Sequence, residues 1–68
     1  MEEKYKIFIS NNFTIVNLKF DTVFAFPEED VNDFNREIIL EMEDENIIYY
    51  DASGYWVLYD EFFEDFLY

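Results

Sequence analysis

Apolar and polar positions alternate over residues 4–10, with Tyr5, Ile7 and Ile9 on one side. A period of two predicts a strand. Asn11 and Asn12 follow; Asn tolerates positive φ, so the pair reads as the two-residue turn of a first hairpin. From Phe13 the alternation resumes. Val16, Leu18, Phe20, Phe24 and Phe26 share one parity with Thr22, and Asn17, Lys19 and Asp21 take the other. The pattern fits one long bent strand, or two strands broken near Asp21 and Thr22.

Pro27 ends the alternation. Pro27 followed by Glu28, Glu29 and Asp30 predicts a helix start, because proline suits a first turn and acids there favour the positive end of the helix dipole. Val31, Phe34, Ile38 and Met42 then recur at helical spacing, leaving Ile39 and Leu40 off the stripe. Two readings fit residues 37–44: a helix continuing to about Asp44 with Asn46 as its C-cap, or a strand with Ile38, Leu40 and Met42 on one face. The longer helix is adopted. Residues 47–50 and 55–59 are β-branched and aromatic runs around Asp51, Ala52, Ser53 and Gly54, the single glycine, which predicts a second hairpin. In residues 60–68, Asp60, Glu61, Glu64 and Asp65 fall on one helical arc. Tyr59, Phe62, Phe63, Phe66 and Leu67 fall on the other, a short amphipathic helix. The fold class expected is α+β: one small domain over residues 1–68, an antiparallel sheet of two hairpins, one central helix and a short C-terminal amphipathic helix.

Charge adds the functional clue. The chain has 17 acidic and 4 basic side chains, a formal net charge of -13. The four bases, Lys4, Lys6, Lys19 and Arg36, all lie in the first 36 residues, and the last 32 residues carry -10. Two polyanions repel, so direct nucleic-acid binding is excluded, and an anionic membrane surface is disfavoured for the same reason. No apolar run approaches the length of a membrane span. With no cysteine and no histidine, disulfides, thiolate metal sites and the commonest general base are absent. At 51% hydrophobic and 24% aromatic, the chain has the apolar content of a folded domain rather than a disordered acidic tail. Sixteen aromatic side chains exceed what so small a domain can hide, so some are expected at a homodimer seam or a partner interface.

The acidic residues fall in patches: Glu28, Glu29, Asp30 and Asp33; Glu37, Glu41, Glu43, Asp44 and Glu45; and Asp60, Glu61, Glu64 and Asp65. A nucleic-acid strand presents one negative charge per ~3.4 Å of axis, and carboxylates four apart on a helix, about 5–6 Å from each other, lie at distances suited to engaging a groove built for such regular charge. Such faces suit a basic groove that normally tracks a sugar-phosphate backbone; the competing reading is a solvated surface. The cost in stability favours the first, because acids at the C-terminus of the last helix oppose its dipole and repel one another. Catalysis has little support: the carboxylates have no histidine, thiol or glycine-rich loop beside them. Glu43, Asp44 and Glu45 lack the glycine and alternation of an EF-hand loop. No enzyme activity, cofactor or metal is expected.

In size, charge and aromatic content over its whole length, the chain is similar to the small, acidic, cysteine-free inhibitors that bacteriophages encode. These include DNA-mimicking inhibitors of restriction enzymes, of uracil-DNA glycosylase and of CRISPR effectors. The resemblance implies a small phage-type inhibitor that blocks the DNA- or RNA-binding groove of a basic host protein, in the host cytoplasm. The expected partner-binding residues are Glu41, Glu43, Asp44, Glu45, Tyr55, Trp56, Asp60, Glu61, Phe62, Glu64 and Asp65. The alternative is a non-enzymatic adaptor or small subunit that binds a protein partner through its aromatic face. The N-terminus, Met1-Glu2-Glu3-Lys4, lacks the apolar region of a signal peptide.

Overall fold

The computed structural model describes residues 2–67, with side chains from Glu2 to Asp65. Its elements are α1 (Glu3–Asn12), β1 (Thr14–Leu18), β2 (Asp21–Pro27), a 3-10 turn (Glu28–Asp30), α2 (Asp33–Asp44), β3 (Ile48–Tyr50), β4 (Tyr55–Leu58), a second 3-10 turn (Asp60–Phe62) and α3 (Glu64–Leu67). The strands form one antiparallel sheet in the order β1-β2-β4-β3. The α+β class and the two-hairpin sheet stand as expected. The position of the first hairpin does not.

Residues 4–10 are helical, not a strand. The chain that alternates Tyr5, Ile7 and Ile9 also spaces Tyr5, Phe8 and Ile9 three and four apart, and those three are buried while Ile7 is half exposed. Burying Phe8 selects the helix: a strand would have turned that ring to the opposite face. Asn12 ends α1, its side-chain amide donating to the Phe8 carbonyl at 2.9 Å. The first hairpin is β1–β2, closed by the two residues Lys19 and Phe20, with Leu18 opposite Asp21. Lys19 has φ 55, a conformation that such turns usually give to glycine or asparagine.

Register fixes the faces. Ile15 lies opposite Phe24, Phe26 opposite Trp56, and Leu58 opposite Ile48. This side of the sheet meets α1 and α2, where Tyr5, Phe8, Ile9, Phe13, Phe26, Ile39, Met42, Ile47, Ile48 and Leu58 form the core. Phe13 is in ring contact with Phe8, Phe24 and Phe26 at centroid distances of 5.7–6.3 Å. Val16 and Leu18 therefore do not share a face with Phe24 and Phe26, because the turn at 19–20 reverses the chain. On the other side Thr14 and Val57 flank Ala25, and Tyr49 lies opposite Val57. Ala25 and Val57 are fully buried there. The β1–β2 turn approaches the second hairpin. Lys19, Phe20 and Val23 line a groove of about 210 Å³ together with Tyr49, Asp51 and Ser53, although the ladder starts the two hairpin loops at opposite ends of the sheet.

Residues 37–44 are helical. The helix begins later than expected, however. Glu28–Asp30 make a separate 3-10 turn, Val31 and Asn32 are extended, and the Asn32 side chain accepts the Asn35 N–H at 2.9 Å as the N-cap. The buried stripe is also shifted: Ile39 and Met42 are core, and Phe34 is 77% exposed. Asn46, with φ 61, closes the C-terminus. Its N–H bonds the Glu43 carbonyl at 3.0 Å and the Ile47 N–H bonds that of Met42 at 2.9 Å, the Schellman pattern. The C-terminal segment is a 3-10 turn running into one turn of helix. Phe62 and Phe63 pack on the core as the amphipathic pattern predicts; Phe66, Leu67 and Tyr68, assigned to the same arc or cluster, lie outside the described side chains. No helix among the described residues is long and apolar enough to cross a membrane.

Candidate functional site

Two connections bring the acidic segments together. Lys4 of α1 donates to Glu41 of α2 at 3.2 Å and lies 4.0 Å from Glu2, so the start of α1 lies beside the end of α2. The Ile47 carbonyl accepts the Tyr59 N–H at 3.1 Å, so the exit of α2 and the turn carrying Asp60 and Glu61 leave the same end of the sheet. Glu41, Glu43, Asp44, Glu45, Asp60 and Glu61 thus share one end of the molecule with Glu2 and Glu3. The opposite end holds Glu28, Glu29 and Asp30, tied to the second hairpin by the Glu28 N–H on the Gly54 carbonyl at 2.9 Å and by the Tyr50 hydroxyl on the Glu28 carboxylate.

The first end is built against local stability. The last turn of α2 has no basic residue, and Glu43 and Asp44 lie where the helix dipole is negative. Each such carboxylate costs about 0.3–1 kcal/mol at low salt, and Glu37, Glu41 and Glu45 repeat at four-residue spacing, each pair adding a few tenths. The dipole argument therefore belongs to α2 rather than to the C-terminal segment, where α3 is a single turn. Nearby tyrosines report the field. Burial, then Glu41 and Glu45, push the Tyr5 hydroxyl above its usual value. Burial, then Asp51 and Asp60, do the same for Tyr49. Lys4 is held above its usual value, chiefly by its hydrogen bond to Glu41.

The remaining expected residues go elsewhere. Trp56 is on the helix-facing side, packed against the core and 5.1 Å from the Tyr50 ring. Tyr55 lies opposite Pro27. Trp56 is four residues from Asp60, roughly 13 Å along an extended chain, so neither ring joins the acidic end. Phe62 packs inward. Glu64 and Asp65 are exposed on α3, and Asp65 shares a surface hollow with Lys6, Ile7, Ser10 and Phe24.

Two surfaces were missed by the sequence reading. Tyr49 and Tyr59, with centroids 4.8 Å apart and rings inclined at 51°, line a groove of about 400 Å³ with Asp60 and Glu61. Residue 59 continues the parity of Val57 and Tyr49 past the end of β4, and that parity was the available signal. Between α1 and α2, Ile7, Phe8, Phe34 and Ile38 line a second groove of about 320 Å³ with Lys4 and Asn11. Among the described residues, no group of three or more metal-ligating side chains converges on a common point. Comparison with protein families, with characterised proteins and with solved structures finds no match to this chain.

Proposed function

We propose that the chain is a non-enzymatic inhibitor whose acidic end occupies the nucleic-acid groove of a basic protein. The observation that carries this reading is the gathering of Glu41, Glu43, Asp44, Glu45, Asp60 and Glu61 at one end, at the expense of α2. Clustered charge of one sign steers association and raises on-rates, and a groove filled by this surface excludes DNA or RNA. The experiment is capture from a bacterial lysate on the immobilised chain, followed by elution with short duplex DNA, with RNA, or with buffer of equal ionic strength. The reading expects nucleic-acid-binding proteins released by the oligonucleotides and retained in the buffer. Retained proteins that the oligonucleotides leave in place contradict it.

The groove between α1 and α2 supports a second reading, an adaptor that binds a protein partner through apolar contact. Phe34 is 77% exposed at its rim, and large exposed rings surrounded by aliphatics are typical of contact surfaces. Binding of that kind is insensitive to salt and is lost on Phe34→Ala, with Glu43→Gln and Asp60→Asn having no effect.

A further inference from the structure

The Tyr49–Tyr59 groove differs in chemistry from the rest of the acidic surface. Its walls are two phenol rings, each rather more than one-third exposed, and its rim is Asp60 and Glu61. The rings are inclined at 51° rather than parallel, and both are partly exposed beside the groove. Asp51 and Asp21 also act on Tyr49, which places the ring among carboxylates from three segments of chain. A π-face attracts a cation, and a carboxylate beside it fixes that cation's orientation. Arginine meets both demands. Its guanidinium is planar, stacks on aromatic rings and offers a fork of N–H donors to a carboxylate, whereas the lysine ammonium is a compact, strongly hydrated charge.

We infer that the groove lined by Tyr49, Tyr59, Asp60 and Glu61 receives an arginine side chain of the partner, its guanidinium stacked on a tyrosine ring and hydrogen-bonded to Asp60 or Glu61. This rests on the proposed function and deepens it. Arginine is abundant in grooves that bind phosphate, and an inserted guanidinium would anchor a contact otherwise set by diffuse charge.

The test is a two-dimensional NMR titration of the whole chain with N-acetyl-Gly-Arg-Gly-amide and with its lysine counterpart, at low and moderate salt. The arginine peptide should shift the Tyr49 and Tyr59 ring signals and the Asp60 and Glu61 amides saturably. It should bind roughly two- to five-fold more tightly than the lysine peptide. Tyr59→Leu should remove that preference and Tyr59→Phe should keep it. Should Tyr59→Leu fail to fold, D60N/E61Q, which leaves both rings in place, should weaken the arginine peptide and spare the fold. Equal binding of the two peptides, or shifts as large at Glu28–Asp30 and Glu43–Glu45 as at the rings, overturns the inference. An oligonucleotide-displaceable partner captured despite that result leaves the inhibitor reading standing. Arginine-selective binding at the rings without such a partner upholds the groove and removes the inhibitor reading.

Discussion

Asn46 shows how one residue sets a junction. Its φ of 61 lets Ile47 turn back to bond Met42, which aims Ile47 and Ile48 into the core. Asparagine tolerates this conformation and alanine does not. Asn46→Ala should lower unfolding free energy by about 1–2 kcal/mol, and Asn46→Gly should be close to neutral, as chemical denaturation would measure. Tyrosines supply a pH signature. Tyr5 and Tyr49, mainly through burial, and Tyr50, mainly through its bond to Glu28, sit above the usual value. A raised folded value means that the stability these groups contribute is complete below about pH 10 and is lost as pH climbs through their folded values. Asp51 is the opposite case. The Ser53 backbone N–H, bonded to it at 2.6 Å, lowers its value, so its contribution is complete above about pH 4 and fades as pH falls through the lowered value. An ultraviolet titration should show tyrosinate appearing later than in urea-unfolded chain, with the last phase coinciding with loss of near-ultraviolet circular dichroism.

At the scale of elements, α1 separates two patterns that the sequence holds at once. In the strand reading Ile7 belongs to the core and Phe8 to the outside; in the helix Phe8 is buried and Ile7 is 53% exposed. Phe8→Ala should therefore cost about 3–5 kcal/mol, enough to leave a domain of this size largely unfolded. Ile7→Ala should stay within about 0.5 kcal/mol. The reverse order in urea denaturation would restore the strand. Elements with local punctuation were legible: the β3–β4 hairpin through Gly54, with φ 92, and the end of α2 through Asn46. The β1–β2 turn was legible only as a break near Asp21 and Thr22, because Lys19 and Phe20 carry no turn chemistry; the two-residue turn itself demands the positive φ of Lys19. The start of α2 was misplaced because Pro27 opens a 3-10 turn, while the cap is Asn32. Which acids share a surface was half legible. Periodicity groups Glu41 with Glu45, but it takes the β3–β4 ladder and the Ile47–Tyr59 bond to bring them to the end that holds Asp60 and Glu61, and nothing local separates Trp56 from that end.

The whole molecule sets a net charge of -13 on 8.4 kDa against a core of modest size. Self-repulsion weakens the compact state and salt screens it, with a Debye length falling from about 30 Å at 0.01 M to about 10 Å at 0.1 M. The melting temperature should therefore rise with ionic strength over that interval, in sodium chloride as in potassium chloride. Replacing Glu43, Asp44, Asp60 and Glu61 together by their amides should raise it further at low salt, since two of these oppose the α2 dipole. A surface that carries that cost is the basis for assigning it a partner. The direct test is the association rate constant of the oligonucleotide-displaceable partner with the native chain and with this E43Q/D44N/D60N/E61Q variant, measured across ionic strength. The native chain should associate fast, at a rate that falls steeply with salt, and the more stable variant more slowly, at a nearly salt-independent rate. Equal rates and equal salt slopes for the two proteins would contradict this expectation.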